Sequence, residues 1–537
     1  MSQAQQKQQA IAKKLAEVPV HKRNALLKRL QQDGINPMSL PIIPHTPTDN
    51  IPLSWSQERL WFLDQLEEAS TIYNLPMAMW VDGLFPLDRL QTVLDAIVQR
   101  HKILTTTFHT IEEESVQVLH QDGHWPVEVI DKRDRHLATH AGLQNTELKE
   151  LIQQEFAKPF DLMTGPLVRA TVVQLSDTES ILILNRHHIV WDGWSTDQFL
   201  REFSLLFTAY SQSQAPSLPN LPIQYADYAV WQRLWFIAET RNQQLTYWQQ
   251  QLANIPALLP LPTDYPRPAV QRYQGRTQRI PLPPELSQQI KALAQKQGVT
   301  LFMALLTGFQ ILLYRYSGQE DIVVGSPIAN RQRPELEELI GFFVNTLALR
   351  SQITDCITVT ELFQTVRAMT LDAYAHQDVP FEQIVDVLNP ERSLAHSPLF
   401  QVMFLMQTPS EKIELPGITI TPLEIENTIA KFDLTLTMED TEQGLVGYWE
   451  YNSDLFVAET ITRMGHHFAT LLQGMVQDDS QTVAQLPLLS AIEQQQLLTG
   501  WNDTAVAYPT DSCIHSLFEA QVERTPEAIA LQFETQS

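Results

Sequence analysis

The spacing of apolar residues predicts alternating helices and strands along most of the chain. In the segment 87–101, apolar side chains recur every three or four residues and so share one face of a helix; they are Leu90, Val93, Leu94 and Ile97. The same spacing predicts helices at 285–297, 301–316 and 359–376, the first two ended by Gly298 and Gly318. Runs of apolar and β-branched residues predict strands at 105–109, 180–190 and 321–329. This alternation favours an α/β (α+β) fold.

Changes in composition divide the chain into parts. Residues 1–40 form a basic leader, with seven Lys/Arg against one acid in its first thirty positions and apolar spacing typical of one or two short amphipathic helices. It is either a solvated leader packed on the body or a docking element for an acidic partner chain. Prolines between 256 and 268 separate a first lobe (41–255) from a second lobe (256–489) of similar α/β type. Residues 490–537 then begin a new helix-then-strand pattern, which we interpret as a linker and the truncated start of another domain.

The charge and the cysteine content exclude several classes of protein. The formal net charge of -25 would repel nucleic acid and anionic membranes, so we expect neither as a partner. The two cysteines, Cys356 and Cys513, form no disulfide framework, which fits a reducing cytoplasm. The N-terminus lacks the apolar core of a signal peptide, and the most apolar long segment, 301–314, is too short to span a bilayer. These features predict a cytoplasmic location.

Two adjacent histidines at the end of an apolar strand carry the strongest chemical signal. His187 and His188 are followed by Asp192 and by Gly193, a residue that permits a sharp turn. The three polar side chains could bind a metal ion, although adjacent strand residues point to opposite faces and cannot easily reach one ion. They could also be a buried structural pair, or a catalytic histidine beside a packed one. The pattern alone leaves the last two alternatives open.

A resemblance to a known family narrows the choice. The segment HHIVWDGWS (187–195) is similar to the HHxxxDG signature of nonribosomal peptide synthetase condensation domains, which the wider chloramphenicol-acetyltransferase-like acyltransferases share. Further segments resemble other motifs of the condensation domains, in family order over 43–489: LSWSQERLWFL, YADYAVWQR, VGSPIANR with IGFFVNTLALR, HQDVPFE and SPLFQVMF. The C-terminal segment HSLFEAQVERTPEAIAL is similar to the start of an adenylation domain.

The resemblance implies a fold and a reaction. The fold would be two chloramphenicol-acetyltransferase-like lobes that form a V-shaped pseudo-dimer with a central tunnel. The domain would act as an acyltransferase. An amine on a downstream carrier protein would attack the thioester of an upstream carrier, both substrates being held on phosphopantetheine arms. The implied partners are these two carriers and the adjacent adenylation domain, with no intrinsically bound cofactor and no metal.

The resemblance also assigns roles to residues. His188 would position the amine and take its proton, for which an imidazole near its ordinary pKa of ~6.5 is suited. His187 and Asp192 would shape the loop, and the backbone N–H of Gly193 would steady the tetrahedral oxyanion. Trp194, Ser195 and Asn345 are candidate tunnel contacts. Asn345 could equally be a strand-end cap, and the spacing of Ser195 and Gln198 predicts a capping box for the helix that follows.

One motif departs from the family pattern. The segment RHKILTTTF (100–108) aligns with RHExLRTxF, so that Lys102 replaces the glutamate and Thr105 replaces an arginine that pairs with the signature aspartate in relatives. Either another cation serves here, or Asp192 holds its turn through hydrogen bonds alone.

The motifs favour a chain-extending condensation domain that accepts an L-configured donor. The alternatives are a starter domain that joins a fatty acyl group to the first amino acid, and a non-catalytic module that recruits carriers. An epimerization domain is disfavoured because an adenylation start follows directly.

Overall fold

A computed structural model shows two compact units, Met1–Leu486 and Pro487–Ser537. The division falls close to the predicted end of the second lobe at residue 489. The residues that the structure describes are 3–16, 18, 25–27, 29–30, 32–33, 35, 39–45, 50–66, 70–133, 145–235, 238–391, 393–408, 414–423, 425 and 428–534.

The first lobe and the leader contain seven strands and seven named helices among the described residues. The strands are β1 (Ile51–Pro52), β2 (Asn74–Asp82), β3 (Thr106–Ile111), β4 (Glu114–Leu119), β5 (Val127–Asp131), β6 (Val168–Gln174) and β7 (Glu179–His187). The helices are α1 (Gln3–Ala16), α2 (Trp55–Leu66), α3 (Leu87–Arg100), α4 (Thr146–Phe156), α5 (Gly193–Ser211), α6 (Tyr225–Trp235) and α7 (Ala238–Gln251).

The second lobe repeats the mixture of strands and helices, which confirms the predicted α/β class. Its strands are β8 (Gly275–Pro281), β9 (Asp321–Ile328), β10 (Asn345–Gln352), β11 (Val402–Gln407), β12 (Glu414–Leu415), β13 (Ile418–Pro422), β14 (Leu434–Thr441) and β15 (Gly444–Asn452). Its helices are α8 (Pro284–Gln297), α9 (Leu301–Ser317), α10 (Pro334–Glu337), α11 (Val359–Ala375), α12 (Phe381–Leu388) and α13 (Ala458–Gln477).

The two main sheets share a strand across the lobes. The second lobe builds a six-stranded sheet in the order β10-β9-β11-β14-β15-β8. The first-lobe sheet has the order β12-β13-β2-β7-β6-β5, so β12 and β13 come from the second lobe, and Ile420 lies opposite Val81. Without β13, the backbone groups of β2 would form an unpaired edge at this point. The pairing ends at Pro422, which leaves Asn74–Ala78 of β2 without a β13 partner.

Burial of one helical face explains the first-lobe core. Leu90, Val93, Leu94 and Ile97 of α3 are fully buried, as their spacing predicted. Strand β7 lies between β2 and β6 and is buried from Ser180 to its end. A strand buried on both faces gives the histidine pair that follows it a rigid base.

Glycines end two helices of the second lobe where the pattern predicted. Gly298 after α8 and Gly318 after α9 both adopt the left-handed conformation, with φ near +66°, which glycine reaches without a steric penalty. In the described residues no single helix could cross a membrane. The bent pair α8 and α9 passes by length and composition only, and most of α9 is buried in the second lobe.

The leader packs against the first lobe. Ala12 and Leu15 of α1, together with Leu27 and Leu40, are buried in the first-lobe core. This contact agrees with a leader packed on the body. Its function as a docking element stays a prediction.

The second unit contains two short helical segments. Its α-helices are α14 (Ala491–Gln495), which continues as a π turn over Gln496–Gly500, and α15 (Ile514–Arg524). The helix of the predicted helix-then-strand start is therefore present. The described residues that follow α15 form no named strand, since a strand needs a partner with which to pair.

Candidate active site

The histidine pair lies at the junction of a strand, a turn and a helix. β7 ends at His187, and His188–Val190 form a single 3₁₀ turn before α5 begins at Gly193. The prediction that the strand continues to residue 190 is therefore wrong by three residues. The chain bends here because the side chain of His187 accepts a hydrogen bond from the backbone N–H of Ile189 (3.1 Å). This bend brings His188 out of the sheet.

His188 is held by its backbone and by one ring nitrogen. Its N–H donates to the carbonyl of Tyr73 (2.8 Å), and its Nδ1 lies 2.7 Å from the carbonyl oxygen of Trp191. A carbonyl can only accept, so Nδ1 carries the proton and Nε2 keeps its lone pair. The Phe342 ring from the second lobe packs edge-on against the imidazole, with ring centroids 4.7 Å apart. The fold thus fixes both the tautomer and the orientation of this ring.

The two imidazoles contact different neighbours and do not converge. His187 is 3% exposed and lies beside the rings of Tyr73 and Phe160. Burial, with a smaller contribution from His188, lowers the pKa of His187 to about 3. His187 is therefore a neutral, packed residue that shapes the turn through its bond to Ile189.

Asp192 organises the loop between the turn and α5. Its buried carboxylate accepts from the backbone N–H and the hydroxyl of Ser195 (2.8 and 2.7 Å) and from the N–H of Phe343 in the second lobe (3.0 Å). Asp192 is thus the N-cap of α5. The predicted capping box with Ser195 and Gln198 is wrong, because the helix begins two residues before Ser195.

The cation that pairs with Asp192 comes from the second lobe. Nη2 of Arg331 lies 3.0 and 3.2 Å from the two carboxylate oxygens, and both side chains are almost fully buried. Nη1 of Arg331 donates to the carbonyls of Leu336 and Leu339 (2.7 and 2.6 Å). Thr105, at the position where relatives carry arginine, instead donates to the carbonyl of His120 (2.7 Å). Of the two alternatives left by the sequence, another cation therefore serves.

A cavity of about 890 Å³ opens beside His188 and is lined by both lobes. From the first lobe come the unpaired end of β2, Arg186, His188, Asp192 and Gly193. From the second lobe come residues around 272–274 and 428–431, including Lys431. An added Cβ at Gly193 would meet nothing within 4 Å, so the first turn of α5 faces open space. The imidazole at position 188 thus projects into a space between the lobes.

Lys431 brings a second titratable group to this cavity. Its ammonium lies 4.5 Å from the centroid of the Tyr73 ring. Burial lowers the pKa of Lys431 to about 8, while the charge of Glu450, which also lines the cavity, raises it. The same burial, together with the charge of Lys431, lowers the pKa of His188 to about 4. The expectation of a histidine near ~6.5 is therefore wrong, because it took no account of desolvation.

The three candidate tunnel contacts lie elsewhere. The indole of Trp194 donates to the carbonyl of Glu337 (2.9 Å), and Ser195 is fully buried against Asp192 and Gly341. Neither is among the described residues that line the cavity.

Asn345 serves as the strand-end cap that the sequence allowed. It is the first residue of β10, and its amide donates to the carbonyls of Gln377 and Val379 (2.9 and 2.7 Å). Its oxygen accepts from the N–H of Phe381 (3.0 Å). Asn345 is buried by these bonds and is not among the described cavity residues.

Sequence reasoning missed three cations of the site. Arg331 stood at the end of a recognised motif, VGSPIANR, which could have identified it as the partner of Asp192. Arg186 directly precedes the histidine pair in an otherwise apolar strand, which is itself a signal. Lys431 carried no local signal, because only the tertiary fold brings it to the cavity.

Comparison with known proteins agrees with this architecture. The family model described as "Condensation domain" matches residues 48–498. The linear gramicidin synthase of Brevibacillus parabrevis includes a protein that is 45% identical over 94% of this chain. The chain spans only about 10% of that relative, so the relative's overall activity is not carried over.

Solved structures of low sequence identity share the fold. A four-domain nonribosomal peptide synthetase bound to AMP and glycine has a TM-score of 0.80 and 22% identity, covering 91% of this chain and 38% of the other. The X-domain from teicoplanin biosynthesis has a TM-score of 0.76 and 24% identity, covering 84% of this chain and all of the other. The predicted family is thereby confirmed, and with it the amide-forming acyltransferase class of reaction. This chain belongs to the condensation domain family of nonribosomal peptide synthetases.

Proposed function

We propose that the chain joins the thioester carbonyl of an upstream carrier-bound aminoacyl or peptidyl donor to the amine of a downstream carrier-bound aminoacyl acceptor. The chain-extending type with an L-configured donor is favoured by the motifs. The observation that carries the proposal is the placement of His188 in a cavity lined by both lobes, with a fixed tautomer and a free Nε2 lone pair. The substrates would arrive on phosphopantetheine arms of the carriers, with no cofactor bound by the chain itself.

The protonation of His188 supports amine positioning over proton abstraction. With its pKa at about 4, the imidazole is neutral at neutral pH and can accept a hydrogen bond from an amine. Moving a proton to it from an α-ammonium of pKa ~8 would cost about 5 kcal/mol. His188 therefore acts on an amine that is already deprotonated, and it directs that amine's lone pair toward the thioester. Holding the two reactants in place can supply roughly 7–11 kcal/mol of the barrier.

The loop residues support this geometry. Asp192 ties the turn to Arg331 across the lobes, so the position of His188 depends on that contact. The backbone N–H of Gly193 lies in the first turn of α5, where helical N–H groups have no intrahelical acceptor. It is the candidate donor to the oxyanion that forms as the amine attacks.

Two further proposals concern the neighbourhood of this domain. Residues 490–537 would be a linker and the start of an adenylation domain, supported by the resemblance of HSLFEAQVERTPEAIAL. The reaction would take place in the cytoplasm, which also remains a prediction.

The test is dipeptide formation from two loaded carriers, measured by product mass in single turnovers. His188→Ala should slow the reaction at least ~100-fold while the protein stays folded. His188→Gln, whose amide oxygen can accept from an amine, should recover part of that loss. The exposed His466→Ala serves as the matched control and should keep the unchanged rate.

The pH profile separates positioning from base catalysis. If His188 positions the amine, the rate should rise with pH along the titration of the amine near ~8, with no break near ~6.5. A loss below tenfold in His188→Ala, or a break near ~6.5 that disappears in this variant, would contradict the assigned role.

A further inference from the structure

Arg186 is a buried arginine at the reaction site. It is the penultimate residue of β7, is 3% exposed and lines the same cavity as His188. Its backbone pairs with Leu75 on one side and with Val168 on the other. Neither the family resemblance nor the reaction proposed above assigns it a function.

The guanidinium has no anionic partner in the described part of the chain. Its carbon lies 4.9 Å from the centroid of the Trp191 ring, and neither Nε nor Nη1 has a hydrogen-bond partner. Burial alone lowers the pKa of Arg186 to about 9, so it remains charged at neutral pH. Arg331, which is also buried, instead donates to a carboxylate, a hydroxyl and two carbonyls. A cation buried without an anion costs several kcal/mol, which a bound anion would offset.

The surroundings of Arg186 favour an anion. Gly193 and Thr196 of the first turn of α5 line the cavity, and the positive end of that helix dipole attracts negative charge. The hydroxyl of Thr196 accepts from the indole of Trp191 (3.0 Å) and so keeps its own proton to donate. The carboxylate of Asp192 is committed to Arg331 and Ser195. The wall of the cavity near Arg186 thus presents donors and positive charge.

We propose that Arg186 binds a carboxylate on the side chain of one of the two substrates, so that this domain prefers an aspartyl-type or glutamyl-type residue. This inference rests on the proposed function. Two strand positions span roughly 6.6 Å, so Arg186 begins about that far from His188. A side-chain carboxylate extends roughly 2.5–4 Å from its own Cα, and the long arginine side chain covers the rest. A residue that reacts beside His188 can therefore place its carboxylate on the guanidinium, which matches a carboxylate through paired N–H donors.

The experiment uses aminoacyl pantetheine thioesters as substrates for the full chain, with product followed by mass. One arm compares aspartyl with asparaginyl donors, using an alanyl acceptor. The other arm compares the same two residues as acceptors, using an alanyl donor. The unchanged protein should prefer the acid over the amide at least tenfold in one arm, and that arm identifies the substrate that carries the carboxylate.

Variants tie the preference to Arg186. Arg186→Met should reduce the acid-to-amide ratio to below twofold, and Arg186→Lys should keep an intermediate ratio. The matched control is Arg169→Met on β6, because Arg169 donates to the carbonyls of Lys158 and Pro159 and is not among the described cavity residues. It should keep the unchanged ratio. The ratio is an internal comparison, so a lower overall rate does not affect it.

The outcomes separate this inference from the proposed function. Equal rates for acid and amide in both arms, or a preference that persists in Arg186→Met, would overturn the inference alone. Failure to form even the alanyl-alanine product would overturn the proposed function and the inference with it. If Arg186→Met does not fold, the unchanged protein and Arg186→Lys still decide, since a preference that lysine leaves at full strength would argue against paired binding by the guanidinium.

Discussion

The buried ion pair between Asp192 and Arg331 can be tested by a double-mutant cycle. The single variants are Asp192→Asn and Arg331→Met, and the third variant combines them. Each single change leaves one charged group buried without its counter-charge, since the Asp192 carboxylate is fully buried and Arg331 is 1% exposed. Removing one partner of a buried pair costs about 3–5 kcal/mol.

The expected free energies are not additive. In the double variant no unpaired charge remains, so its cost should be about that of one single variant. The coupling energy should therefore be about 3 kcal/mol in magnitude. The remaining cost reflects the donors of Ser195 and Phe343, which lose the carboxylate as their acceptor.

The assay is denaturant unfolding followed by tryptophan fluorescence and circular dichroism. A surface pair, Lys291 with Asp440, supplies the matched control, because its side chains are 42% and 35% exposed. Its coupling energy should be below about 1 kcal/mol. If the two buried single variants add up in the double variant, the pair does not hold the lobes together.

Two further predictions concern pH and strand anchoring. The pKa values of His187 and His188 are about 3 and about 4 in the folded protein, so their contribution to stability is complete above ~6.5. It is lost as the pH falls from there toward 4, because the unfolded chain binds protons that the folded protein does not, at about 1.4 kcal/mol per pH unit for each histidine. His187→Gln should reduce the slope of unfolding free energy between pH 6 and 5 by about that amount, whereas the exposed His466→Gln should not change it; equal slopes for all three proteins would refute the assignment. Asn345→Ala should lower the free energy of unfolding by about 1–3 kcal/mol, because the N–H of Phe381 loses its buried acceptor, and it should leave the rate per folded molecule within a few-fold. A hundredfold loss of rate at full stability would instead return Asn345 to the reaction site.

The local sequence determined the helices, most strands and the identity of the reactive segment. The helix that buries Leu90, Val93, Leu94 and Ile97 could be predicted because apolar spacing is a property of neighbouring residues. The glycines that end α8 and α9 could be located for the same reason. The histidine pair could be found because its spacing from Asp192 and Gly193 is contiguous in the chain.

The tertiary structure decided which residues meet at the site. Arg331 reaches Asp192 across 139 positions of sequence, and β13 completes the sheet of the other lobe. Neither contact leaves a pattern in its own neighbourhood. Asn345 shows the converse: its sequence allowed two functions, and the loop that packs over it selected the structural one.

The protonation of His188 also depended on the fold. An imidazole in a peptide has a pKa of ~6.5, and only burial between two lobes and the approach of Lys431 lower it to about 4. The sequence by itself therefore determined which side chains are present and how each segment folds, because these follow from steric preferences and apolar spacing within a few residues. Charge pairing, desolvation and the shape of the cavity arise only when distant segments exclude water together, and the tertiary structure alone decided them.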